Sequence, residues 1–289
     1  MFHKSILIIL ASLALVTMAC GITVNVPLPI DNITTGPTQT EEINVPEPDF
    51  STVDLTLVFG AGELNLEPGA TGALVTGTAS YNVEDFKPKV SATDGEVHIE
   101  TGDLKIEGIP NFDNNVENRW DLKLSDAPMQ LTINAGAYQG DLELGGLALK
   151  SLEVSDGAAD VRLNFSEANL VEMDTLRYIT GASNVKLNGL ANANFASMIF
   201  RSGAGDYTLD FSGSLQRDAV VTIESGISQV VIVIPIGTPA SVNFNGGLTS
   251  VTKSSQWSQS GNTYTQPGEG PKLTINVDMG AGNLELRSK

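Results

Sequence analysis

Residues 60–66 read GAGELNL, and close copies of this stretch return as GAGDYTL at 203–209 and GAGNLEL at 280–286. Looser copies separate the corner glycines by 21, 24, 22, 23, 21 and 33 residues, at Gly136, Gly157, Gly181, Gly203, Gly226, Gly247 and Gly280. Self-similarity at a period of about 20–25 residues is typical of a solenoid. The repeat therefore predicts an all-β, single-stranded β-solenoid with rungs of about 22 residues.

Each copy combines a tight corner with an alternating strand. A glycine permits a positive φ or a close approach of two backbones. The polar residue that follows it is typical of a turn, because its side chain bonds nearby backbone groups. Apolar residues then alternate with polar ones, the pattern of a strand with one buried face. We expect the polar set to be Asp141, Asp160, Asn184, Asp206, Gln229, Ser250 and Asn283, and the buried pairs to be Leu142/Leu144, Val161/Leu163, Val185/Leu187, Tyr207/Leu209 and Leu284/Leu286.

Rungs of this kind bury their inner face only against their neighbours, so we expect them to stack in chain order. Stacking in chain order would place Glu143 beside Arg162, with opposite charges. It would also leave the last copy, GAGNLELRSK, at one end of the stack, where end-to-end association of two molecules is open. Residues 169–178, NLVEMDTLRY, are the best helix candidate, and they fit a rung strand equally well.

The long spacing before Gly280 marks an insertion, SSQWSQSGNTYTQPGEG at 254–270. Its Gly and Ser content predicts a loop that leaves one rung. Trp257 and Tyr264 lie in it without an apolar rhythm around them. Loops on rigid scaffolds often carry binding residues, so both aromatics are candidate partner contacts. The alternative is that Trp257 folds down and covers the end of the solenoid.

The N-terminal residues predict that the protein is exported from the cytoplasm. Residues 1–19 contain a short basic start and a short apolar run, as secretory signal peptides do, and the run is too short to span a bilayer. Cys20, the only cysteine, follows directly and resembles the cysteine of a bacterial lipobox, although Thr17 stands where Leu is usual. This resemblance implies cleavage before Cys20, its acylation and a membrane partner held through the lipid anchor. The alternative is ordinary secretion.

The composition and charge of the chain limit the classes of partner that it can bind. Residues 20–48 are rich in Pro and Thr and poor in apolar residues, which predicts a semi-extended tether. The formal charge of −18 argues against nucleic acid and anionic lipid headgroups, since both require a basic surface. We therefore expect a folded part displayed outside the cytoplasmic membrane, either extracellular or periplasmic.

The stretch from Phe59 to Gly69, with Tyr81-Asn82 and Lys87-Pro88 further on, resembles the N-terminal domain of the toast-rack family. Residues 130–289 are similar in style to adhesin head domains and cell-wall-stress response proteins built from β-rungs. The resemblance implies a toast-rack β domain at 49–108, solenoid repeats at 109–289, and a surface role in interaction or envelope sensing. It carries no catalytic residues.

Few residues supply chemistry. His98 is the only histidine after the signal peptide and alternates with apolar residues, which favours a solvated strand position. One histidine and one cysteine cannot build the usual zinc site. Weak calcium-like clusters at Asp206 and at Asp113-Asn114-Asn115 are better explained as turns. We expect no catalytic residue, cofactor or metal.

Two functions stay open. The first is a non-enzymatic module that binds a protein or an envelope glycan through its flat sides or the insertion. The second is a β-helix enzyme that acts on polysaccharide with two surface carboxylates, which glycoside hydrolysis requires about 5–9 Å apart.

Overall fold

The computed structural model describes residues 30–32, 35–102, 109–111 and 116–289. Apart from two short 3-10 turns at Glu84–Phe86 and Leu190–Ala193, the regular structure in these ranges is β, which confirms the all-β class. The strands are β1 Ile30–Asn32, β2 Gln39–Val45, β3 Val53–Pro68, β4 Val75–Tyr81, β5 Pro88–Thr93, β6 Glu96–Thr101, β7 Ile109–Asn111, β8 Asn118–Leu124, β9 Met129–Glu143, β10 Leu149–Asn164, β11 Met173–Asn188, β12 Phe195–Asp210, β13 Ala219–Ile234, β14 Ala240–Lys253, β15 Ser258–Ser260, β16 Thr263–Gln266 and β17 Leu273–Ser288.

The chain divides into two compact units. In the smaller one, β1 pairs in parallel with β7, and Ile30 lies opposite Ile109. The larger unit holds one 15-stranded sheet.

Eight long strands of 14 to 16 residues form the body of this sheet, each pairing in parallel with the next. Their order is β3, β9, β10, β11, β12, β13, β17 and β14. Alternate residues of each strand are buried, and the buried set shifts from even to odd positions, or the reverse, at the corner glycine. In β10, Leu152 and Val154 are buried before the corner, and Val161 and Leu163 after it. Both halves contribute to the same hydrophobic core, so one strand forms two sides of a coil, as the predicted β-solenoid requires.

The strand order departs from the expected stacking in chain order. The last strand, β17, pairs with β13 on one side and β14 on the other. The end of the stack is therefore β14, and GAGNLELRSK lies in the interior. The insertion makes this path possible, because residues 254–272 are long enough to leave β14 and return between two rungs.

The insertion forms a β-hairpin, where a loop was expected. Strand β16 pairs antiparallel with β15 and with the first residues of β14, from Ala240 to Asn243. Its alternation of Thr and Gln with Tyr264 is a strand pattern that its Gly and Ser content obscured. The hairpin covers the first four residues of the terminal edge.

One register was predicted wrongly. Asp141 was placed in the polar column after the corner, but Gln139 lies there, opposite Asp160. Asp141 lies two residues later and faces Arg162, with 3.7 Å between its Oδ2 and the Arg162 Nη1. The expected neighbour of Arg162, Glu143, pairs with Asn164 instead. The predicted register was displaced by two residues because Gly140 occupies a position where other rungs carry an apolar residue, such as Val161 in β10.

The five predicted buried pairs are all buried. Strand β11 begins at Met173, so the second half of 169–178 is strand. The division at 49–108 and 109–289 stays a prediction; β3 and β9 lie side by side in the sheet.

At the other end of the stack, shorter strands cover β3. The first half of β3 pairs with β6, which pairs with β5. The second half pairs with β8, followed by β4 and β2.

The corner glycines are required by the spacing between rungs. A Cβ on Gly181 would lie 2.3 Å from the carbonyl oxygen of Gly157, and one on Gly226 would lie 2.4 Å from that of Gly203. The same conflict recurs from Gly136 to Gly280, because these glycines stack directly on one another. The second glycine of the GAG copies differs, since Gly205 has φ +145° and also lies against a backbone oxygen.

Replacement of Gly181 by Ala should therefore destabilise the protein by about 1–3 kcal/mol, because the neighbouring backbone must shift. The matched control is Gly60→Ala. Gly60 is the glycine of the first corner, and a Cβ there would meet only the Thr101 hydroxyl oxygen, at 3.5 Å. The control should change stability by less than about 1 kcal/mol. Denaturant unfolding followed by circular dichroism measures both; equal losses would contradict the role of glycine stacking.

Candidate binding groove

The predicted site residues are placed as follows. Cys20 lies outside the described residues. Trp257 and Tyr264, the expected partner contacts, are 1% and 6% exposed, so neither ring is available on the surface. Both belong to the core cluster, in agreement with the alternative that Trp257 covers the end of the solenoid. His98 is exposed on the outward side of β6.

A groove lies beside the same insertion, on the outward side of the last three rungs. Parallel pairing places Asn243 of β14 beside Asn276 of β17, and Asn276 in line with Thr222 of β13. Two residues further on, Asn245, Asp278 and Glu224 form a second row. The turn of the hairpin closes one side. The amide groove is Thr222, Glu224, Asn243, Phe244, Asn245, Asn262, Thr263, Asn276 and Asp278, and its volume is about 420 Å3.

Side-chain hydrogen bonds fix these amides. The Asn243 Nδ2 donates to the Asn276 Oδ1 at 3.0 Å, and the Thr263 hydroxyl donates to the Asn243 Oδ1 at 3.1 Å. In the second row, the Asn245 Nδ2 donates to the Asp278 Oδ2 at 3.0 Å. An amide carries two donors and two acceptor lone pairs, so each of these groups keeps further bonding capacity. The rows present oriented polar groups with rotamers already restricted.

Phe244 lies between the two amide rows, with its side chain on the inward face of β14, in line with buried Val277 and Ile223. Its backbone N–H donates to the carbonyl oxygen of Asn262 at 2.9 Å, which ties the hairpin turn to β14. The ring packs partly against the core and is half-buried. Gly246 makes room for it, since a Cβ there would lie 2.3 Å from the Phe244 Cζ.

The two carboxylates of the amide groove both accept hydrogen bonds. Glu224 is paired with Arg201 at 2.9 Å between the Arg201 Nε and the Glu224 Oε2, and Asp278 accepts from Asn245. In the part of the chain that the structure describes, no group of three His, Cys, Asp or Glu side chains is placed to hold a metal ion. Amides and hydroxyls therefore make a surface suited to binding polar ligands through hydrogen bonds.

A second depression, of about 560 Å3, lies on the outward side near β6 and β3. Asp54, Glu96, His98, Glu153 and Arg177 line it. Register pairing sets Asp54 directly opposite Glu96, and the Gln130 Nε2 donates to the Asp54 Oδ1 at 2.7 Å. Most of its lining is charged or hydroxylated, and it has no hydrogen-bonded rows of Asn side chains such as the amide groove has.

The amide groove was not predicted from the sequence, although two similar stretches point to it. VNFN at 242–245 and INVD at 275–278 carry the same polar positions two residues apart. Recognising that these two stretches are adjacent requires knowing that β17 inserts beside β14.

A buried polar cluster lies inside the solenoid at the corner of β10. Asp156 faces inward and accepts hydrogen bonds from the hydroxyls of Tyr178, at 2.8 Å, and Thr180. Ser183 donates at 3.4 Å. Burial raises the pKa of the Asp156 carboxyl, and these three hydrogen bonds oppose the increase. Burial also raises the pKa of the Tyr178 hydroxyl.

Among the described ranges, no helix is both long and apolar enough to cross a membrane.

Comparison with known proteins assigns the family. The family described as the N-terminal domain of toast_rack, DUF2154, matches residues 34–176. These residues contain the first corner, the strands that cover it and the first three rungs. The chain belongs to the toast-rack family. No curated protein matches it.

Several solved structures are similar to this chain to different degrees. A proposed cell adhesion protein from Clostridium sporogenes ATCC 15579 superposes with a TM-score of 0.51 at 19% identity, covering 88% of this chain and 100% of the other. A proposed adhesin from Bacteroides fragilis NCTC 9343 gives a TM-score of 0.41 at 11% identity, covering 89% and 99%. A proposed lipid binding protein from Parabacteroides distasonis ATCC 8503 gives 0.37 at 11% identity, covering 89% and 99%. The first shows that the solenoid is shared by a distant protein.

Substitution Asp156→Asn should alter the pH dependence of stability. The pKa of Asp156 is raised by folding, so its contribution is fully present below the unfolded pKa of about 4 and is lost as the pH rises through the folded value. The variant removes this loss. The difference in melting temperature between variant and wild type should therefore move in favour of the variant as the pH rises.

The matched control is Asp160→Asn, an exposed carboxylate on the same strand. Its difference from wild type should stay nearly constant over the same pH series. Thermal unfolding by circular dichroism measures all three proteins. A constant difference for Asp156→Asn as well would show that its carboxyl titrates alike in both states.

Proposed function

We propose that the protein is a non-enzymatic, lipid-anchored, extracytoplasmic module of adhesin type that binds a glycan through the amide groove. The observation that carries the proposal is the pair of hydrogen-bonded amide rows on the outward face of the last three rungs. The proposed adhesive role of the Clostridium sporogenes protein with the same fold is consistent with it.

The chemistry of the amide groove favours a polyhydroxylated ligand. Each sugar hydroxyl both donates and accepts a hydrogen bond, and the amides of Asn243, Asn262 and Asn276 do the same. Ligand sites commonly fix their ligand through a few precisely placed polar groups. A glycan therefore matches the hydrogen-bonding groups that the amide groove presents.

The negative charge of the chain and of the groove determines which class of glycan is favoured. The chain carries a formal charge of −18, and the amide groove itself contains Glu224 and Asp278. Polyanionic glycans would be repelled at low ionic strength. The favoured ligand is neutral or carries amino groups.

The structure also argues against catalysis by this groove, because both carboxylates are held by donors. Glu224 is engaged by Arg201 and Asp278 by Asn245. A glycosidase requires one carboxyl that gives up a proton and one that stays charged. The polysaccharide enzyme remains the second candidate, and the test below separates the two.

The glycan proposal predicts that Asn262→Ala combined with Asn276→Ala weakens binding about tenfold or more, through two lost hydrogen bonds. Asn262 is exposed, and its backbone bond to Phe244 does not depend on the side chain. The measurement uses an array of bacterial surface polysaccharides and immobilised peptidoglycan. The control is Asn184→Ala, an exposed amide on an interior rung.

Equal weakening by the control, or no glycan bound by the wild type, would contradict the proposal. Reducing ends are assayed in the same incubations. Their release by the wild type over time would favour the enzyme.

The anchor predicts a second result. Cells fed labelled palmitate should label the wild-type chain, and Cys20→Ser should lose the label and move from the membrane fraction to the soluble fraction. The replacement removes the only thiol in the chain. A labelled, membrane-bound Cys20→Ser variant would show that the chain is held by another route.

A further inference from the structure

The terminal rung leaves part of its edge open. Strand β14 pairs with β17 along its length, but the hairpin strand β16 covers only Ala240–Asn243. The next backbone bond to the hairpin comes from Phe244, and within the described ranges no strand pairs with the outer edge from Leu248 to Lys253. This free edge, residues 248–253, exposes alternate backbone N–H and C=O groups that can bind another strand.

The other end of the stack is built differently. Its outermost strands are β2 and β5. Strand β2 carries Glu41 and Glu42, and β5 begins with Pro88 followed by Lys89. Charged residues and proline are the usual protection of an edge against pairing. Nothing similar protects the free edge, whose sequence is LTSVTK, with one charge at its last position.

Apolar surface accompanies the free edge. Leu248 is 86% exposed, and Val251 is only partly buried where it packs against the end of the core. Strong β-formers with little charge and no proline are typical of segments that add a strand. A partner strand would bury both side chains while it satisfies the backbone groups.

We propose that the partner is a second copy of this chain, joined free edge to free edge in antiparallel orientation about a twofold axis. Charge supports this occupant. The chain carries −18, so two copies repel one another over most of their surface, but the free edge contains no acidic residue. Two copies therefore approach most easily here.

The symmetric register is specific. With the axis through Ser250, Leu248 lies opposite Thr252 of the other copy, and Thr249 lies opposite Val251, because opposite residues of an antiparallel pair share a face. The exposed Leu248 then packs against the Thr252 side chain of the other copy, which is also exposed. The two stacks continue through the interface as one sheet, with the amide groove of each copy kept open.

The test compares two matched substitutions in the full chain, purified in detergent. Leu248→Lys replaces the apolar contact with Thr252 by a charged side chain that the interface would have to desolvate, twice by symmetry, and should weaken the dimer about tenfold. The control is Ile227→Lys on interior strand β13. Ile227 occupies the same column, since Leu248 and Ile227 both lie opposite Ala281, and it is 71% exposed.

Light scattering during size exclusion, over a range of protein concentrations, gives the dimer dissociation constant. Hydrogen exchange then checks that residues 248–253 become protected as the dimer forms. Wild type and Ile227→Lys should form the dimer, and Leu248→Lys should be mostly monomeric at the same concentration.

A monomeric wild type would overturn the proposal, as would equal weakening by both substitutions. Protection of residues 248–253 in a monomeric wild type only after envelope membranes are added would assign the free edge to a different partner. None of these results depends on glycan binding.

Discussion

The close approach of one backbone to the next at the stacked glycines controls the rest of the structure. The carbonyl oxygen of one corner glycine occupies the space where the next would carry a Cβ. This contact keeps eight long strands in register through their corners, because a rung that slipped by one residue would bring a side chain into the stack. Register in turn aligns the outward side chains into columns, and the two amide rows, one at Asn243 and Asn276 and the other at Asn245 and Asp278, are two such columns.

Most of the fold could be predicted from the sequence, because its repeat is local. The corner glycines and the alternation after them identify the inward residues Val161, Leu163, Val185 and Leu187 without knowledge of any distant contact. The register at Asp141 failed because Gly140 stands at an inward position and hides the alternation. The toast-rack relationship was recognised through the first corner, and the matching domain extends well beyond the stretch that carried the resemblance.

The candidate site was much less predictable. Its residues come from β13, β14, β17 and the hairpin, and no local pattern states that β17 inserts before β14. Trp257 and Tyr264 attracted attention as aromatic residues in a polar segment, but aromatic rings also provide large buried area, and the solenoid end uses them in that way. The side chains left exposed next to them, such as Asn262, carry little signal of their own because amides are common in turns.

The position of β17 has a consequence for how the molecule holds together. Strand β14 and its hairpin reach the other rungs only through β17, which comes last among the described strands. Proteolytic removal of residues 273–288 would therefore release the end of the stack as well as the cut strand, and would expose the edge of β13. The C-terminal segment therefore holds β14 in place, and the groove exists only in molecules that have folded as far as β17.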